Sequence, residues 1–182
     1  TVGKKEILLR RGASVGDLLA VTGSVGMAAA GYHSLRKGLG VRAAEKAILE
    51  PQPRVQEGMA LSSSHVVTSC MDVSDGLASS VHTLGGMSGV SFTLDYDEIP
   101  VDDEVLEVAG ASGVDANELA LYFGGDYQLL FTLGPQGLER LRSLLGDGFT
   151  VIGKAGPKGA DNVIARGRDI ILLEGGSSLR EG

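Results

Sequence analysis

The chain has 182 residues, of which 43% are hydrophobic and 21% are charged. This composition is typical of one folded domain with a full core and excludes a disordered chain. The net charge is −7 and the sequence pI is about 4.9, which disfavours nucleic acid as a partner because phosphate binding needs a basic face. No apolar run reaches the length of a membrane span, so we predict no membrane partner.

The single cysteine and the first residue bear on the cellular context. Cys70 lies inside an apolar run, so no intrachain disulfide is expected. We predict a buried, unreactive thiol in a reducing, cytoplasmic compartment. Residue 1 is Thr rather than Met, so no signal peptide can be read, and the chain is expected to be a fragment or a processed product. We predict one domain over residues 1–182, with a loose lead-in at 1–4 and a frayed tail at 175–182.

Apolar runs and alternating patterns predict strands, whereas apolar residues at helical spacing predict helices. The predicted strands are residues 6–11, 18–22, 66–71, 90–94, 128–133, 149–152, 162–165 and 170–173, with a loop at 153–160. The predicted helices are residues 27–37, 41–50, 54–61, 77–84, 101–109, 117–122 and 138–145. Several strands are joined too closely for parallel crossovers alone. The order therefore predicts an α+β domain with a mixed sheet flanked by helices.

A glycine turn at residues 23–26 follows the second strand and leads into an Ala-rich helix. Such a turn at a helix N-terminus could bind a phosphate through its backbone N–H groups. The segment contains no P-loop lysine, and the small residues 28–31 equally suit close helix packing. We favour packing.

The turn at residues 72–76 carries the main candidate site. An apolar strand ends there, and a helix begins at once with Leu77, Val81 and Leu84 at helical spacing, closed by two glycines. Asp72, Ser74 and Asp75 offer oxygen ligands for a hard cation such as Mg²⁺, which prefers one or two carboxylates with phosphate and water. Asp75 or Ser74 could instead only cap the helix. Capping leaves Asp72 unexplained, because a cap needs one acceptor.

The motif Asp-Val-Ser-Asp-Gly-Leu-Ala at 72–78 resembles the Asp-x-Ser-Asp-Gly-Leu-Ala signature of the thiamine-monophosphate kinase family. This family belongs to the ATP-dependent superfamily of aminoimidazole ribonucleotide synthetase, selenophosphate synthetase and a hydrogenase maturation factor. Residues 10–23, 51–58 and 124–127 agree with the family in the same order. The resemblance covers nearly the whole chain, but only the C-terminal half of such a kinase. The N-terminal ATP-binding domain is absent from this sequence.

A second candidate site follows at Phe-Gly-Gly-Asp-Tyr, residues 123–127. Its glycines allow close approach of a ligand or a positive φ, although Gly-Gly-Asp is also an ordinary turn. The resemblance places this turn at the substrate end of the cleft. Many family members have Gly-Gly-Glu-Asp-Tyr-Glu, whereas Gly125 and Gln128 stand here in place of the two Glu residues. No aromatic residue follows Phe149, although family members often carry one near the C-terminus that packs on thiamine.

The resemblance implies the C-terminal domain fold of the superfamily and ATP-dependent phosphorylation of thiamine monophosphate to the diphosphate. It implies that Asp72 and Asp75 hold Mg²⁺ and carry catalysis, that Ser74 and Asp75 contact the nucleotide, and that Gly124, Gly125 and Asp126 line the substrate pocket. The expected partners are the N-terminal domain and, at full length, a second copy in a homodimer. The domain alone is expected to be inactive. Two alternatives stay open, a sister ATP-dependent enzyme with another small substrate and a non-catalytic nucleotide-binding domain.

Overall fold

The computed structural model describes residues 6–175, which contain seven β-strands and seven α-helices. The strands are β1 Leu18–Thr22, β2 Val67–Asp72, β3 Ser91–Asp95, β4 Leu129–Leu133, β5 Phe149–Gly156, β6 Val163–Arg166 and β7 Asp169–Leu172. The helices are α1 Met27–Lys37, α2 Arg42–Leu49, α3 Val55–Ser64, α4 Leu77–Ser88, α5 Asp103–Ser112, α6 Ala116–Tyr122 and α7 Leu138–Leu145.

All seven strands join one sheet in the order β2-β4-β1-β5-β3-β6-β7. Only β3 and β6 pair in parallel, and every other pair among the described residues is antiparallel. The sheet is therefore mixed, and the helices flank it. The predicted α+β fold with a mixed sheet is confirmed.

Apolar side chains cover both faces of the sheet, as strand β1 illustrates. Leu19 and Val21 join a cluster with α4, whereas Leu18 and Ala20 join a second cluster with α3 and α7. Successive strand residues point to opposite faces, so a strand that is buried throughout must be packed on both sides. The sheet thus lies between two helical layers, which hold the carboxyl end of β2 in a fixed position.

A third apolar cluster joins α1, α2, α5 and α6. Helices α1 and α2 approach closely at Gly31 of α1, where an added Cβ would lie 2.2 Å from the carbonyl oxygen of Ala44 in α2. Only glycine permits this approach of the two helices. The packing interpretation of residues 28–31 agrees with this contact.

Several predicted boundaries differ from the structure. Residues 6–11 are not a sheet strand, although the Leu9 carbonyl accepts a hydrogen bond from the Cys70 amide at 2.8 Å. Helix α4 continues through Gly85 and Gly86 to Ser88, and β5 includes residues 153–156 that were expected in a loop. The predicted lead-in at 1–4 and the tail beyond residue 175 lie outside the described residues. Within residues 6–175 no helix is long and apolar enough to cross a membrane.

Candidate active site

The turn between β2 and α4 presents two side chains that have no partner within residues 6–175. Gly76 occupies the N-cap position with φ +91°, and no side chain caps the helix. Ser74 is half-buried and Asp75 is exposed. In the part of the chain that the structure describes, neither side chain makes a hydrogen bond or ion pair. The capping interpretation of Ser74 and Asp75 is therefore wrong, and both oxygen groups are available to a ligand.

Asp72 is the last residue of β2 and its side chain is 44% exposed. One carboxylate oxygen, Oδ1, lies 3.6 Å from Nη2 of Arg10, whose side chain is 57% exposed. An ion pair of this length and exposure contributes little to stability. Arg10 therefore lies beside the candidate site. The sequence alone predicts no role for it, although it belongs to the matching stretch at residues 10–23.

The second turn packs directly against the first. The Gly125 amide donates to the Ser74 carbonyl at 3.0 Å, and the Tyr127 amide donates to the Val73 carbonyl at 3.0 Å. Gly124 allows this contact, because an added Cβ would lie 2.2 Å from the Ser74 carbonyl oxygen. The structure thus brings together all six predicted site residues, from segments about fifty positions apart in the sequence.

Asp126 binds the N-terminus of α1. Its carboxylate accepts hydrogen bonds from the backbone amides of Gly26 at 2.8 Å and Ala28 at 2.9 Å. Burial raises the pKa of Asp126, an effect that these amides oppose and that the nearby Asp102 carboxylate reinforces. The carboxylate occupies the position at which a helix N-terminus would bind an anion. Asp126 therefore acts here as a cap supplied from another element, and its contact with substrate stays a prediction.

Two buried polar residues, Thr22 and Gln128, connect this region to the sheet through a contact that the sequence does not predict. The Thr22 hydroxyl donates to Oε1 of Gln128 at 2.9 Å and accepts from the Leu129 amide at 2.9 Å. The Gln128 carbonyl in turn accepts from the Val73 amide at 2.8 Å. A polar residue at each strand end suggests a role outside the core, but the sequence contains no spacing that would pair residue 22 with residue 128. These bonds tie the end of β1 to both turns.

The donor set fits magnesium bound together with a phosphate ligand. It consists of two exposed carboxylates and one hydroxyl on a single turn, Asp72, Asp75 and Ser74. Residues 6–175 contain no group of three or more His, Cys, Asp or Glu side chains that could hold a metal ion by themselves. Mg²⁺ usually takes one or two protein carboxylates and completes its shell with phosphate oxygens and water. The turn therefore suits a metal that arrives with a nucleotide or phosphorylated substrate.

Comparison with known families identifies the domain. The family described as AIR synthase related protein, C-terminal domain, matches residues 14–166. The chain belongs to this family. In this AIR synthase related domain, the matched region includes both turns, the Thr22–Gln128 contact and the whole of α1, but not Arg10.

Curated relatives of this chain are named as kinases. Thiamine-monophosphate kinase of Halobacterium salinarum is 35% identical over 145 residues, which are 80% of this chain and 48% of that protein. The enzyme of the same name from Pyrococcus abyssi is 33% identical over 172 residues, 93% of this chain and 52% of that protein. A solved structure, AaThiL complexed with AMPPCP and TMP, has a TM-score of 0.75 at 26% identity and covers 92% of this chain and 54% of that one. The chain spans about half the length of the curated relatives it matches.

Proposed function

We propose that this domain is the C-terminal half of a kinase that uses ATP and Mg²⁺ to phosphorylate thiamine monophosphate to thiamine diphosphate. The observation that carries the proposal is the turn at residues 72–75, which places two carboxylates and a hydroxyl together and uses none of them to cap α4. The relatives named as thiamine-monophosphate kinases support the substrate, as does the similar fold crystallised with AMPPCP and TMP. The reaction class is phosphoryl transfer, in which positioning and charge neutralisation do most of the catalysis.

Each site residue has a distinct role in this proposal. Asp72 and Asp75 hold Mg²⁺, which when bound neutralises charge on the phosphates. The Ser74 hydroxyl donates a hydrogen bond to the nucleotide. The backbone at Gly124 and Gly125 lines the substrate pocket beside the metal turn. None of these side chains is needed as a nucleophile, because an oxygen of the acceptor phosphate attacks the terminal phosphorus of ATP directly while the bond from that phosphorus to the bridging oxygen breaks and ADP leaves.

The organisation of the complete enzyme belongs to the same proposal. Residues 1–182 form the C-terminal domain of a two-domain protein, whose N-terminal domain binds most of the nucleotide. The complete enzyme is cytoplasmic and a homodimer, and the C-terminal domain alone has no activity. Support comes from the relatives, which are about twice as long as the region that matches this chain.

One observation favours the alternative of a sister enzyme with another small substrate. Gly125 replaces a Glu that is frequent in the kinase family, and its backbone φ is +100°, a conformation that favours glycine. An added Cβ would also lie 3.3 Å from Cβ of Ala28. A Glu side chain would therefore strain this turn, and the negative charge that it would bring is missing here.

The test is chromatography for thiamine diphosphate after incubation of the two-domain enzyme with ATP, Mg²⁺ and thiamine monophosphate. We expect the product from the wild type and a loss of at least about a hundredfold in kcat for Asp75→Asn, because charge neutralisation at the phosphates carries much of the rate. Asp169→Asn, at the opposite edge of the sheet, is the matched control and should retain activity. ATP binding without product would reject this substrate and favour the sister enzyme.

A further inference from the structure

The second turn ends in a residue with an unusual backbone conformation. Tyr127 has a φ of +51°, and within residues 6–175 the one other residue besides glycines with a positive φ is His65. His65 ends α3, a position where a left-handed residue is common, and histidine is among the side chains enriched there. A bulky aromatic residue in this region is an outlier. The fold therefore holds Tyr127 in a conformation that Asn or Gly would adopt with less strain.

The residues on either side of Tyr127 are fixed by the fold. Asp126 caps α1, and the side chain of Gln128 is bonded to the Thr22 hydroxyl. The Tyr127 amide itself donates to the Val73 carbonyl at 3.0 Å. Strained backbone persists where surrounding contacts determine it in this way, and it is concentrated at ligand-binding sites. The outlier at Tyr127 therefore motivates a hypothesis about its side chain.

The Tyr127 ring is exposed beside the candidate metal turn. The residue is 45% exposed, and its hydroxyl makes no hydrogen bond to any residue of the described chain. Phe123, the other aromatic residue of the second turn, packs on Tyr32 with ring centroids 5.6 Å apart. The backbone of Tyr127 lies opposite Val73, which is flanked by the oxygen ligands of the first turn. Of the two rings in residues 123–127, that of Tyr127 is thus the one available to a ligand.

Thiamine monophosphate has the chemistry that such a ring recognises. Its phosphate is joined by a short ethyl arm to a thiazolium ring, which carries a permanent positive charge. When the phosphate lies at Asp72 and Asp75, the short arm keeps the thiazolium close to the same turn. The face of a tyrosine ring attracts a cation directly. The adenine of ATP is separated from the transferred phosphate by the rest of the triphosphate and the ribose, so it lies farther from this turn.

We propose that Tyr127 binds the thiazolium ring of thiamine monophosphate and so determines specificity for the acceptor substrate. This role rests on the proposed function, because the position of the acceptor phosphate decides which ring lies beside the turn. The face of the Tyr127 ring contacts the thiazolium. The fixed backbone holds the ring in place before the substrate arrives, which reduces the entropy lost on binding.

The test compares the steady-state kinetics of Tyr127→Asn and the wild type in the two-domain enzyme, since Asn adopts a positive φ readily. We expect the KM for thiamine monophosphate to rise at least about fivefold, because a cation–π contact is lost. The kcat and the KM for ATP should stay within about twofold, the pattern of a contact made equally in the ground state and the transition state. Tyr127→Phe keeps the aromatic face and should restore most of the affinity.

His65→Asn is the matched control. It places the same residue at the other position with a positive φ, at the opposite end of β2 from Asp72, and should leave the KM unchanged. Inorganic phosphate is the probe without a ring, and it should inhibit the wild type and Tyr127→Asn equally. Urea unfolding should show Tyr127→Asn to be at least as stable as the wild type, because the substitution relieves backbone strain. Tyr127→Gly is the second variant if Asn disturbs the turn.

Three results would overturn the role of Tyr127 in an enzyme that still makes thiamine diphosphate. One is an unchanged KM for thiamine monophosphate in both Tyr127→Asn and Tyr127→Gly. Another is equal weakening of thiamine monophosphate and inorganic phosphate, which would assign the effect to a disturbed metal turn. The third is a KM in Tyr127→Phe as high as in Tyr127→Asn, because the hydroxyl would then make the contact. A wild type that makes no thiamine diphosphate would instead refute the proposed function, and the role of Tyr127 with it.

Discussion

At the residue scale, Arg10 lies where it would compete with a metal ion bound by Asp72. Its guanidinium lies 3.6 Å from the carboxylate. We expect Arg10→Gln to tighten Mg²⁺ binding by the domain by at most about fivefold, since exposed ion pairs contribute up to about 1 kcal/mol. Titration with Mn²⁺ as a paramagnetic probe in NMR, with Mg²⁺ as competitor, measures the affinity.

Arg11→Gln is the matched control for this prediction. It removes the same charge from the neighbouring position, and Arg11 has no ion-pair partner among the described residues. Equal tightening in both variants would show that only net charge matters and would contradict a specific competition at Asp72.

His33 on α1 should make the domain sensitive to mild acid. Burial, followed by the charges of Lys37 and Arg36, lowers the pKa of His33 below its ordinary value of 6.5. The folded state then binds fewer protons than the unfolded state, so the contribution of His33 to stability is complete above pH 6.5 and is lost as pH falls through the folded pKa. Nδ1 of His33 is also buried without a hydrogen-bond partner in the described chain.

The measurement is the urea midpoint of unfolding at pH 7.5 and pH 5.5 for the wild type and His33→Phe. The variant keeps an aromatic ring against Tyr32, whose centroid is 5.3 Å away. We expect the midpoint of the variant to fall less between the two pH values. An identical fall in both proteins would assign the acid sensitivity to other groups.

At the element scale, helix α1 depends on a carboxylate from the far side of the second turn. Asp126→Ala removes the acceptor of the Gly26 and Ala28 amides and should lower the free energy of unfolding by about 1 kcal/mol, as loss of an N-cap does. The expected loss of stability is no larger because the buried carboxylate of Asp126 carries a desolvation cost, which also raises its pKa and which the substitution removes. Urea unfolding gives the change in stability, and amide exchange in the first turn of α1 locates it.

Asp147→Ala, an exposed substitution between α7 and β5, controls for the loss of one carboxylate. If Asp126→Ala were as stable as this control and α1 exchanged normally, the carboxylate would not act as a cap. A normal α1 combined with lost substrate affinity would favour the substrate-binding role instead.

The sequence predicts the bounds of those elements whose apolar pattern ends at a local stop signal and whose packing in the fold does not extend them. β1 and α1 have the predicted bounds, because an apolar run and a helical repeat each end at glycine. The end of α4 could not be predicted. In the sequence Gly85 is typical of a helix end, but it lies inside α4. An added Cβ at Gly85 would be 2.9 Å from the Val90 carbonyl oxygen, so packing in the folded chain requires a glycine at this position. Residues 6–11 have a strand pattern but make only an isolated backbone bond to β2.

At the scale of the whole molecule, the candidate site forms where distant segments meet. The oxygen ligands at residues 72–75 could be proposed from their types and spacing, since they lie on one turn. The contact of Asp126 with α1 spans about one hundred residues and has no local signature. The same holds for the bond between Thr22 and Gln128. Sequence therefore predicts candidate ligands, and only the fold shows which groups position them.

The single thiol offers a test of how the whole domain opens. Cys70 is 8% exposed and belongs to the cluster between the sheet and helices α3 and α7. Burial, with a smaller effect of Asp72, raises the pKa of Cys70 to about 12. A reagent can therefore reach Cys70 only when the helical layer is removed. Deprotonation of the thiol to the reactive thiolate should require the same opening.

We expect labelling of Cys70 by a disulfide reagent to be governed by global unfolding. The free energy of opening obtained from labelling rates in urea should equal the equilibrium free energy of unfolding, with the same dependence on urea. The extended segment at residues 6–11 also covers β2, through the bond between Leu9 and Cys70. If that segment were the real barrier, labelling would give a smaller free energy and a weaker dependence on urea. Because Cys70 belongs to the cluster that α3 and α7 cover, loss of the segment alone should leave Cys70 unreactive.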